Sequence, residues 1–133
     1  MSKRMTKGEF QKSLGAFNPV GHTMIAFASV AIAGDAAASL REQGFAPEDI
    51  ISYSSAELLP KIEVAVRNAS EAAGFGYEIN LMKRYMTLAT ENCGWLLVHS
   101  PEQAQTDKVT LIAQRFGAKT AVSYGRLVNE DLV

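Results

Sequence analysis

Residues 93–126 read CGWLLVHSPEQAQTDKVTLIAQRFGAKTAVSYGR, an order that fits strand, helix, strand and little else. The apolar run 95–98 suits a buried strand. Ser100, Pro101 and Gln103 supply an N-cap hydroxyl, a first-turn proline and a capping-box partner for the helix that follows. Val109, Ile112 and Phe116 recur at three and four residues and give that helix one apolar face, and Gly117 suits the left-handed turn that ends it. An earlier stretch repeats the order. Residues 22–28 are apolar on both alternating sets, Met24, Ala26 and Ala28 against Ile25 and Phe27, as a central strand requires. Ser29 then caps an alanine-rich helix through Leu40 and Arg41-Glu42-Gln43, Gly44 stops it, and residues 50–53 form a strand after the turn Pro47-Glu48-Asp49. With Ala31, Ala33, Ala36, Ala37 and Ala38 on it, this helix should lie close against whatever it covers.

Two such units predict an α/β fold of the α+β sandwich type. The expected form is a ferredoxin-like, four-stranded antiparallel sheet with strands near 22–28, 50–54, 95–99 and 120–125, covered on one face by helices. At 133 residues the chain makes one domain, residues 22–133, behind a flexible basic tail, residues 1–21. Lys3, Arg4, Lys7 and Lys12 against Glu9 give that tail +3 of a chain total of −1, so the remainder carries −4. A specific nucleic-acid site would want aromatics interleaved with arginines, and no such run occurs. No apolar run approaches the roughly 18 residues of a membrane span, no secretory pattern precedes Ala26, and the single cysteine excludes an internal disulfide. A cytoplasmic protein with no membrane partner and no cofactor is expected.

Between the halves lies a helical insertion at about 55–92, two helices broken near Gly74-Phe75-Gly76. Leu59, Ile62, Val66 and Ala69 stripe the first, which either begins or kinks at Pro60; Ile79, Met82, Met86, Ala89 and Cys93 stripe the second. Together they carry more apolar surface than one helical face of a four-stranded sheet absorbs. The insertion is therefore expected to extend one edge of the domain or to meet a second subunit, with Ile79, Met82, Tyr85 and Met86 at the interface of a homo-oligomer, most simply a dimer.

The carboxyl-terminal pattern of Ser100, Arg115, Phe116, Gly117-Ala118, Ala121, Tyr124-Gly125-Arg126 and Val128-Asn129-Glu130-Asp131-Leu132 resembles small bacterial proteins known as general stress or low-temperature-induced proteins. Gly44-Phe45 followed by Glu48-Asp49-Ile50 is similar to the amino-terminal half of that group. Members of the group place a glycine-rich apolar segment where this chain has two amphipathic helices. The resemblance implies an intracellular, stress-related protein with no catalytic residues to inherit.

His22 and His99 are the only histidines. In the expected topology the first and third strands are antiparallel neighbours, so the start of one lies near the end of the other and the two imidazoles can approach. Two imidazoles without a third ligand make a poor metal site, and Cys93 belongs about 20 Å away at the other end of the third strand; no metal is expected. Cys93 itself follows a helix C-terminus, whose dipole opposes a thiolate. Gly74-Phe75-Gly76 lacks the lysine and hydroxyl of a phosphate loop, and Glu57, Glu63, Glu71 and Glu78 form no acid–base pair, so no catalytic residue is assigned. Tyr53 and Tyr124 close the two units at matching positions, either lining a ligand or packing an edge with the hydroxyl in solvent. Arg126 suits an anion, or pairs with Glu130 or Asp131.

Two functions follow. One is a noncatalytic structural or interaction protein acting through its insertion as a homo-oligomer. The other is a small-molecule-binding protein or enzyme with a pocket at the sheet edge, built from His22, His99, Tyr53, Tyr124 and Arg126.

Overall fold

The computed structural model describes residues 20–71, 76–124 and 129–132. In chain order the elements are β1 (His22–Phe27), α1 (Val30–Glu42), a single 3-10 turn at Pro47–Asp49, β2 (Ile50–Ser54), α2 (Ser55–Glu71), α3 (Gly76–Ala89), β3 (Gly94–His99), α4 (Gln103–Arg115), β4 (Thr120–Tyr124) and β5 (Asn129–Asp131). The strands form one sheet in the order β2-β3-β1-β4-β5, and every neighbouring pair is antiparallel. The fold is mixed α/β on a single antiparallel sheet, and both strand-helix-strand units lie where the sequence places them.

Helix termini follow local chemistry. The Ser29 hydroxyl accepts from the Ile32 N–H at 3.1 Å and starts α1. At its other end Gly44 turns left-handed with φ +102, the Gly44 N–H donates to Arg41 O, and the Phe45 N–H donates to Leu40 O. Gly117 ends α4 in the same way, with donors Gly117 and Ala118 and acceptors Gln114 and Ala113. These paired bonds satisfy carbonyls that each helix end would otherwise leave open.

The start of α4 differs from the sequence reading. Glu102, not Ser100, is its N-cap, and the Glu102 N–H donates to the Gln105 side chain at 3.1 Å. Ser100 is still held by the sheet: its N–H donates to Gly21 O at 2.9 Å, and its hydroxyl bonds Thr23 Oγ1 at 2.7 Å. Tertiary pairing thus claims the hydroxyl before the helix can use it. Likewise α2 starts at Ser55 rather than at Pro60. The Ser54 N–H donates to Glu57 Oε1 at 2.9 Å and the Glu57 N–H donates to Ser54 Oγ at 3.1 Å, a reciprocal cap that carries strand directly into helix. Pro60 sits inside that helix and has no N–H to give the Ala56 carbonyl.

The larger correction concerns the insertion. Ile25, Phe27, Leu96 and Val98 face Leu40, Val109 and Ile112 of α1 and α4, whereas Met24, Ala26, Trp95, Leu97 and Val122 face Leu58 and Ile62 of α2 and Tyr85 and Ala89 of α3. Helices therefore cover both faces of the sheet. Of the insertion's described side chains, Leu58, Ile62, Tyr85 and Ala89 are buried within the chain, because β1 and β3 are buried at all six positions each and need cover on both sides. Tyr85, expected at a subunit interface, is fully buried in this second core, and Met86 is half-buried beside it. The side chains of Ile79 and Met82 lie outside the described residues, as do residues 1–19 of the expected tail. A fifth strand, β5, pairs with β4 from Val122↔Asp131 to Tyr124↔Asn129; Asn, Glu and Asp have low strand propensity, so its sequence does not announce it.

Close packing of α1 depends on Gly94. A Cβ there would fall 2.5 Å from Ser29 O, 2.7 Å from Val30 Cα and 2.8 Å from Ala33 Cβ, two of them backbone atoms that cannot rotate away. Gly94→Ala should lower stability by about 1–3 kcal/mol in urea unfolding, and a change under about 0.5 kcal/mol would show that α1 is free to move outward.

Candidate functional site

At one end of the sheet three adjacent strands bring polar rings into line. His22 on β1 is the Cα partner of His99 on β3 and, on its other side, of Tyr124 on β4. Each lies two residues from a neighbour facing α2 and α3, namely Met24, Leu97 and Val122, so all three share that face. They are buried, His22 with 2% exposure and His99 with 9%. The imidazole centroids stand 4.9 Å apart with their planes at 58°. His22 Nδ1 lies 3.2 Å from Val20 O; a carbonyl only accepts, so this contact puts a proton on Nδ1.

From Tyr124 the polar contacts continue along the face. Its hydroxyl bonds the Tyr85 hydroxyl of α3 at 2.8 Å, and the Tyr85 ring stands edge-on to Trp95 with centroids 5.5 Å apart. Trp95 Nε1–H donates to Ser55 Oγ at 3.1 Å, and that hydroxyl donates to Cys93 O at 3.1 Å. A single path of buried rings and hydroxyls therefore runs from the His22 end of the sheet to the Gly94 end.

The residues singled out from the sequence divide. His22, His99 and Tyr124 come together; Tyr53 does not, because it is the partner of Trp95 at the opposite end of the sheet. Both tyrosine rings are buried, Tyr53 at 4% and Tyr124 at 1%, which corrects the picture of edge rings with hydroxyls in solvent. They face the core that α2 and α3 close. The cluster also sits on β1 and β3, interior strands, rather than at the sheet edge. Arg126 lies outside the described residues. Tyr85 joins the site although the sequence reading gave it to an interface; its spacing of four from Ala89 puts both on one helix face, but periodicity cannot say what that face meets.

Burial pushes the Tyr53 hydroxyl up to about 12, with the Glu57 carboxylate adding to it. Burial likewise raises the Cys93 thiol, against a smaller pull from Lys119 and with a further push from Glu91. A buried thiol held neutral is not a nucleophile. Among the described residues no three His, Cys, Asp or Glu side chains gather as a metal cage, and no helix is long and apolar enough to cross a membrane.

Removing either hydroxyl of the Tyr85–Tyr124 pair leaves its partner short of a buried bond. Tyr85→Phe and Tyr124→Phe should each cost about 1–2 kcal/mol, and the double variant should fall short of their sum by at least about 0.5 kcal/mol; strict additivity would show that the contact is not formed in solution. Tyr53 gives a pH prediction. The unfolded chain releases this proton near pH 10 and the folded chain only near 12, so stability should fall as pH rises from 10 to about 12. Tyr53→Phe should flatten that fall in chemical denaturation, and an unchanged slope would contradict the raised value. Comparison with protein-family models, with curated proteins and with solved structures finds no match for this chain.

Proposed function

We propose that this chain is a small-molecule-binding protein whose site is the buried histidine–tyrosine end of the sheet. The observation that carries the reading is the row His99, His22, Tyr124 at partner positions across three adjacent strands, joined from the helical layer by Tyr85. Buried polar groups cost stability that apolar residues at the same positions would not, and convergent polar groups on an apolar face are what a ligand site needs. The frame is read as a ferredoxin-like core, supported by the order β2-β3-β1-β4 with α1 and α4 together on one face, to which the insertion adds a cover on the other. A cytoplasmic, stress-related role, as the family resemblance implies, accords with such a binder.

The homo-oligomer reading draws less support. It is motivated by surplus apolar helix surface, and among the described side chains of the insertion Leu58, Ile62, Tyr85 and Ala89 are buried on the sheet. The large apolar side chains exposed among the described residues are Val20 ahead of β1, Val30 on α1, Val64 on α2 and Leu111 on α4.

Because the chain has only two histidines, both in this cluster, their imidazole resonances are a selective probe. Titrating sodium phosphate, sodium acetate, adenosine monophosphate and zinc chloride in turn should reveal at least one compound that shifts both imidazoles and raises the thermal midpoint. If none moves either ring, the binding reading fails.

A further inference from the structure

We draw no further inference here: the strongest candidate, the outer edge of strand β2 at the margin of the sheet, already has its Ile50 N–H taken by Pro47 O and its Ser54 N–H taken by Glu57 Oε1, and nothing in the structure shows what covers the rest of it.

Discussion

His22–Phe27 and Gly94–His99 are paired neighbours, and neither strand has an exposed residue. A sheet with such a centre cannot leave a face to water: Met24, Trp95, Leu97 and Val122 would lose their apolar cover at about 25 cal/mol for each Å². The two strand-helix-strand units supply helices for one face only. The insertion between them is therefore the other half of the core, and its placement follows from the residues of β1 and β3 more than from its own.

The two faces meet this demand differently. Against α1 the contacts are small, Ala33 and Ala36 with Gly94 drawn in until no Cβ fits, and the helix lies tightly on β3. Against α2 and α3 the contacts are large and partly polar, with Trp95, Tyr85 and Tyr124 filling depth that small residues would leave empty. Large rings with polar tips bring hydrogen-bond obligations into the core, met in part by Ser55 and by the tyrosine pair. The His22 end of the sheet is polar on its other face too, where Thr23, Ser100 and Thr106 are linked by side-chain hydrogen bonds. That end, where β1 enters and β3 leaves, is where this protein departs from a purely apolar interior.

Much of the fold is legible in the chain because its determinants are local. Strand alternation, the cap at Ser29 and the stops at Gly44 and Gly117 involve residues within a few positions of one another. Ser100 shows where that reasoning fails: its spacing fits an N-cap, yet a partner 77 residues away takes its hydroxyl. The proximity of His22 and His99 follows from strand order and direction, but their direct register, and the convergence of Tyr124 instead of Tyr53, depend on how three strands align.

What the sequence by itself determined is therefore the set of elements: two strand-helix-strand units, two amphipathic helices between them, and the residues at which most begin and end. Only the tertiary structure decided which face the insertion covers, that β5 joins the sheet, and which rings meet at its end. Periodicity tells a helix which of its sides is apolar but not what that side will touch. Contacts between residues far apart in the chain, such as His22 with His99 or Tyr85 with Tyr124, exist only once the sheet has set its register and both layers have closed on it.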